Sequence, residues 1–192
     1  SNERLKSILY RIKALEDHYS SEYVRADKRG DVKEKEDIIN KMPLDILNAA
    51  LRSAAMSISL SWNKEGSLMV RKGRDAYGAD ALSDGERAAV ILTIETILAS
   101  QNSLMMVDEP ERHLHRAISA PLLAFLRAQR PDLHWVLATH DLALVRDARA
   151  QKILAIQDYS NNGWKFSLVD GVLPVEIIDA VFGARERVLF VE

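Results

Sequence analysis

The sequence predicts an α/β domain with a mostly parallel sheet flanked by helices. Two apolar runs carry that prediction, Leu104-Met105-Met106-Val107 and Trp135-Val136-Leu137-Ala138, each of strand length and each ending abruptly in polar residues. Between them, Ile118, Leu122, Leu123, Phe125 and Leu126 fall at helical spacing. Strands separated by helices imply βαβ units and hence a parallel sheet. An N-terminal helical segment and a β-hairpin precede this core.

Composition bounds the answer further. The 192 residues allow one domain, or one domain with an appendage, and 47% hydrophobic content suffices for a core. A net charge of −2 provides no overall basic field, so a nucleic-acid surface requires a local patch. The chain has no cysteine, which excludes disulfides, thiolate zinc sites and cysteine catalysis. The longest apolar candidate, Ala88 to Ala99, is interrupted by Thr93, Glu95 and Thr96 and falls short of the roughly 18 residues a membrane helix needs. No signal-peptide pattern is present, and the expectation is a cytoplasmic protein with no membrane partner.

In chain order, Leu5, Ile8, Leu9, Ile12 and Leu15 predict an amphipathic helix over about Glu3 to Tyr19. Arg25 to Asp37 mixes charges with almost nothing apolar and reads as a solvated connector or exposed helix. Pro43 suits the first turn of the next helix. Ile58, Leu60 and Trp62 alternate with serines as a half-buried strand, Asn63 to Gly66 turns, and Leu68 to Arg71 returns. Lys72-Gly73-Arg74 reads as a solvated hairpin end. Glu86 to Ser100 predicts a helix packed on a sheet, followed by strand Leu104 to Val107, a loop from Glu111 to His115, and a helix over Arg116 to Arg130. Strand Trp135 to Ala138, helix Leu142 to Ala148, strand Lys152 to Ile156 and strand Trp164 to Val169 follow. The chain ends with a helix over Pro174 to Phe182 and a strand over Arg187 to Glu192.

Two stretches carry chemistry. Asp108 and Glu109 stand at the carboxyl end of an apolar strand, where paired acids suit Mg²⁺ and water activation: one holds the metal or its waters, the other deprotonates an attacking water. Ser83-Asp84-Gly85-Glu86 places a hydroxyl, a glycine and free backbone N–H groups at a helix start, which suits a phosphate. A plain capping box would place a serine and a glutamate at the same spacing.

Leu82-Ser83-Asp84-Gly85-Glu86 resembles the signature motif of ABC-type ATPases. Leu104 to Glu109 resembles their Walker B strand, and Thr139-His140-Asp141 resembles their switch-histidine loop. The spacing is similar too, with 25 residues from Ser83 to Asp108 and 32 from Asp108 to His140. The resemblance covers about Tyr77 to Val145. It implies a P-loop NTPase fold, ATP and Mg²⁺ as ligands, Asp108 holding Mg²⁺ through water, and Glu109 as general base. It implies that His140 contacts the γ-phosphate and the attacking water. Ser83 and Gly85 would reach the γ-phosphate of ATP held by a second copy, so that ATP is sandwiched in a homodimer. Asp84 and Glu86 stand where transporter ATPases usually carry glycine and glutamine, which favours the soluble SMC, RecF-like and OLD-like branch of DNA repair and phage defence. DNA or an effector nuclease is the implied partner.

Glu111, His113 and His115 have a spacing that can bind zinc. The run Asp-Glu-Pro-Glu before His-Leu-His instead resembles the Walker B and D-loop of the OLD-like branch, with Arg116 where a proline often follows. Arg187 to Glu192 resembles the first strand of a Toprim nuclease-type domain, where a glutamate at this point binds metal. The resulting division is 1–76 helical segment and hairpin, 77–182 ATPase core, and 183–192 start of a Toprim-like domain. None of the eight glycines belongs to a Gly-x-x-x-x-Gly-Lys-Ser/Thr match, and no glutamine loop is identifiable. The chain therefore reads as the carboxyl-side portion of the ATPase, expected to hydrolyse ATP poorly alone. Two other classes fit parts of the pattern: a non-catalytic dimerisation scaffold, and a metal-dependent nuclease using Asp108 and Glu109 directly.

Overall fold

Leu5, Ile8 and Ile12 are all buried, which fixes one face of the first helix against its neighbours. The computed structural model describes residues 2–147, 150–160, 163–171, 174 and 188–191, with the backbone alone at 2, 113, 147, 157–160 and 188–191. It contains two compact units, Ser1–Ala99 and Ser100–Glu192. The division expected at 76/77 falls inside the first.

In the first unit, helix α1 spans Asn2–Arg29, ten residues past the predicted end, and takes in part of the charged stretch. That stretch is then interrupted at Gly30, whose positive φ of 70° ends the helix, and Asp31 caps α2 (Val32–Ile39) by accepting from Glu34 N. Helix α3 (Pro43–Ser53) begins at proline as predicted. The hairpin is a three-stranded antiparallel sheet: β1 (Ser59–Trp62), β2 (Leu68–Lys72) and β3 (Asp75–Gly78), in that order. Lys72-Gly73-Arg74 is therefore a second turn, with Gly73 at φ 62°, and not a free hairpin end. A short 3₁₀ turn, Ala79–Ala81, leads to α4 (Asp84–Leu98).

Within this unit α4 packs on α1 and α3, burying Ala89, Val90 and Ile94, so its neighbours there are helices where the sequence predicted a sheet. Thr93 and Thr96 are buried on it with their hydroxyls satisfied, since each bonds back to the carbonyl four residues earlier. Arg4 holds Glu95 through bonds of 2.6–2.9 Å and pins α1 to α4.

The second unit contains β4 (Leu104–Asp108), a short helix α5 (Pro110–His113), α6 (Arg116–Gln129), β5 (His134–Thr139) and α7 (Leu142–Asp147). Strands β6 (Lys152–Ser160), β7 (Gly163–Asp170) and β8 (Val188–Val191) complete it. The strand order is β4-β5-β8-β6-β7. Among the described residues only β4 and β5 pair in parallel; β5 with β8, β8 with β6, and β6 with β7 are antiparallel. The expectation of a mostly parallel sheet is thus corrected. Strands β4, β5 and β6 do run in one direction, as βαβ connections require. The antiparallel pairs arise because β7 returns from β6 in a hairpin and β8 lies between β5 and β6. The last ten residues, expected to open a Toprim-like domain, here place Val188–Val191 in this sheet. The helix predicted over Pro174 to Phe182 lies outside the described residues from 175 onward.

One sheet face forms a core from Trp135, Leu137, Ile153 and Ala155, together with the buried Leu122, Leu123 and Leu126 of α6 and Leu144 and Val145 of α7. The other face is exposed at Leu104 and Met106 of β4 and at Trp164, Phe166 and Leu168 of β7. The apolar run of β4 is therefore half-buried, at the edge of the sheet among the described residues.

Candidate functional site

The carboxyl ends of β4 and β5 lie side by side, because the two strands pair in parallel with Asp108 opposite Ala138. Such an edge brings the last residues of separate strands together, and in open α/β sheets ligands sit there. Asp108 is exposed at the tip. The next residue leaves the strand sharply: Glu109 adopts φ 46° and ψ 58°, left-handed for a residue with a side chain, at a cost of roughly 1–2 kcal/mol. Its N–H is tied to Ala138 O at 2.7 Å, and Pro110 follows as the first residue of α5. Strain held in place at a strand end is a common mark of a functional residue. The predicted loop from Glu111 to His115 is instead helical through His113.

This bend turns the acids toward β5. His140 Nδ1 lies 3.5 Å from Glu109 Oε1 and 3.3 Å from Glu111 Oε1, and Arg112 Nη1 is 3.4 Å from Glu109 Oε2. Glu111 Oε1 accepts the Thr139 hydroxyl at 2.5 Å and the His140 N–H at 3.2 Å. Thr139 Oγ1 in turn accepts from Asp141 N at 3.0 Å, and Asp141 caps α7 by accepting from the N–H groups of Ala143 and Leu144. The Thr139-His140-Asp141 turn is therefore fixed at both ends. Of the predicted site residues, Asp108, Glu109 and His140 meet here.

Sequence reasoning weighed Glu111 as a zinc candidate and favoured it as part of a D-loop, and gave it no role toward His140. Its carboxylate faces Thr139 and His140 instead, while His115 Nδ1 accepts from Ala117 N at 3.3 Å as the cap of α6. Among the described residues no group of three or more His, Cys, Asp or Glu could hold a metal ion. A lone exposed Asp108 fits Mg²⁺ that keeps its waters and brings its remaining ligands from phosphate, and does not fit a metal caged by protein.

The signature residues belong to the first unit. Ser83 is the N-cap of α4, with φ −61° and ψ 162°, and a complete capping box is present. Glu86 N donates to Ser83 Oγ at 3.4 Å, and Ser83 N and Oγ donate to Glu86 Oε2 at 3.0 and 2.8 Å. Glu86 Oε1 accepts from Lys72 Nζ at 2.8 Å. Burial raises the Glu86 carboxyl, but the bonds from Lys72 and Ser83 together outweigh it and leave its pKa below the ordinary value. Asp84 and Gly85 form the first turn, with Asp84 exposed beside the N–H groups of the helix start. Arg87 donates to Asp80 O at 2.9 Å and ties the preceding 3₁₀ turn to the same end.

The structure is similar in fold to SMC ATPase heads. It matches a structure from work on ATP-driven dimerisation and DNA-stimulated activation of SMC ATPases, with a TM-score of 0.53 and 16% identity, covering 77% of this chain and 94% of that one. It also matches the Smc head domain from Pyrococcus furiosus, with an extended coiled coil and bound to the C-terminal domain of ScpA, at TM-score 0.52 and 15% identity, covering 96% and 55%. At such identities the likeness concerns the fold alone. By sequence, 67 residues are 40% identical to a "Putative ABC transporter ATP-binding protein" of Streptomyces avermitilis, which is 34% of this chain and only 12% of that relative. Residues 2–146 match the family described as "AAA domain, putative AbiEii toxin, Type IV TA system". With that match extending over well more than half of its length, the chain belongs to this AAA-domain family.

Proposed function

We propose that this chain carries the hydrolytic half-sites of an ATPase that closes as an ATP-sandwiched homodimer. The observation that carries the reading is the approach of Glu109 and His140 to within 3.5 Å at the end of a strand whose last residue is Asp108. In this reading Asp108 holds Mg²⁺ through water, and bound Mg²⁺ neutralises charge on the phosphates. Glu109 takes a proton from the attacking water, and its strained backbone keeps the carboxylate at the strand tip. His140 meets the γ-phosphate and that water. Ser83 and Gly85 approach the γ-phosphate from the other protomer, with the α4 helix start supplying N–H groups. In this reading the site is completed by a Walker A lysine, which no Gly-x-x-x-x-Gly-Lys-Ser/Thr run supplies here. Closure would act on DNA or on an effector nuclease, such as a Toprim-like domain, in DNA repair or phage defence in the cytoplasm.

The test uses the protein together with its Walker A-bearing lobe. Replacing Glu109 by Gln should lower kcat by about 10²–10⁴-fold, the contribution of a positioned general base, and trap a nucleotide-bound dimer visible by light scattering. Asp108→Ala should abolish the trapped dimer. A Glu109→Gln protein that turns over ATP normally would leave a scaffold role; ATP-independent, Mg²⁺-dependent DNA cleavage lost in Asp108→Ala would favour the nuclease.

A further inference from the structure

We propose that Glu111 is the positioning residue of the switch histidine: it accepts the Nδ1 proton of His140 and fixes the ring tautomer. The argument starts from the cost of the carboxylate. Its side chain is only 9% exposed, and its Oε2 is buried with no hydrogen-bond partner among the described residues. Burying a charge with one oxygen unsatisfied is expensive unless that charge is used. The bonds from Thr139 Oγ1 and His140 N need only an acceptor, which a neutral amide would supply equally. What a carboxylate adds is that both oxygens accept and neither donates. Beside it, at 3.3 Å, His140 Nδ1 can only be a donor, so the neutral ring carries its proton on Nδ1 and keeps the Nε2 lone pair for the exposed side.

Glu109 competes for the same nitrogen from 3.5 Å, but three features favour Glu111. It is nearer, its carboxylate is the more buried, and it also binds the backbone N–H of His140, so ring and main chain are held from one atom. Metal-ligating histidines are oriented by carboxylates in the same way, and loss of such a partner typically costs 10–100-fold in activity.

The consequence for turnover rests on the ATPase reading above; the tautomer does not, which separates the two in one experiment. The ¹⁵N-labelled chain is studied by long-range ¹H–¹⁵N correlation of the imidazole rings, above their titration range, with His140→Gln identifying the signal. The expected result is an Nδ1–H ring in the wild type and in Glu109→Gln, and loss of the Nδ1–H pattern in Glu111→Met. Glu111→Gln, which retains acceptors for Thr139 and His140 N, should keep the fold and show a reduced Nδ1–H fraction. It is the deciding variant if Glu111→Met does not fold. A wild-type Nε2–H ring, or a pattern lost in Glu109→Gln and unchanged in Glu111→Gln, would overturn the proposal. In the ATPase-competent protein, Glu111→Gln should lower kcat about 10-fold or more with KM little changed. Absence of any wild-type turnover would instead count against the ATPase reading and leave the tautomer result standing.

Discussion

Glu86 shows how a helix start that suits phosphate is kept in order. Its side chain satisfies the Ser83 N–H and hydroxyl with one oxygen and Lys72 with the other, so the residue that caps α4 also joins that helix to β2. The signs of the two shifts define when this helps folding. The folded carboxyl of Glu86 is depressed below 4.5, so its contribution is complete above that value and is lost as pH falls through the depressed one. The hydrogen bond to Glu86 raises Lys72 above 10.5, so its contribution is complete below that and is lost as pH rises through the raised value. The pair should therefore stabilise the first unit across the whole range between those limits. Lys72→Met is expected to lower the urea midpoint at pH 7 and to lose its penalty progressively in acid, as Glu86 protonates in both proteins. A penalty that persists unchanged at pH 2 would mean that Lys72 acts through its methylenes and not through Glu86. In sequence, Lys72 reads as one of three basic residues at a turn; its partner lies fourteen positions away and becomes visible only when β2 and α4 are both in place.

At the scale of elements, the ends explain more than the middles. Helix α3 finishes in a complete Schellman motif: Met56 N donates to Leu51 O and Ala55 N to Arg52 O, both at 3.0 Å. The left-handed residue that the motif requires is Ala55, exposed, at φ 53°. An L side chain costs roughly 1–2 kcal/mol there, against the smaller entropic cost of glycine. Ala55→Gly should therefore stabilise the first unit by about 1 kcal/mol in urea melts, and a loss of stability would show that the alanine methyl makes a contact outweighing the strain. The same logic separates what could be read in advance from what could not. Pro43, the apolar spacing of α1 and the capping box of α4 are local signals, and those helices begin near the predicted positions. Strand β3, with Asp75, Ala76 and Tyr77, has no alternation to announce it and exists because Met69 to Lys72 offers a ladder to pair with. Glu109 through His113 was predicted as strand end and loop because the left-handed turn that starts α5 leaves no trace in composition.

Across the whole molecule, the placement of the acids and the histidine was legible where they stand at strand ends and illegible where it depends on pairing. Asp108, Glu109 and His140 follow apolar runs directly, so adjacency of β4 and β5 suffices to bring them together. Glu111 needed the backbone bend at Glu109, and the strand directions needed β8 between β5 and β6. The exposed sheet face has a consequence of its own. Met106 is 73% exposed on β4 and Phe166 is 62% exposed on β7, where cross-strand partners Ile156 and Leu154 stand beside Phe166 and Leu168 on the same side. Among the described residues β4 and β7 are the edge strands, and an open apolar face bounded by sheet edges favours self-association. Phe166→Lys places a charge on that edge without removing a core contact, so its effect on folding stability should stay within about 0.5 kcal/mol, as for exposed positions generally. Its effect on association should be large: sedimentation of the wild-type chain at rising concentration should show concentration-dependent oligomers, and Phe166→Lys should shift them toward monomer. Equal association by the two proteins, with unchanged melting, would mean that this face is not the adhesive one and that contacts between copies form elsewhere on the chain.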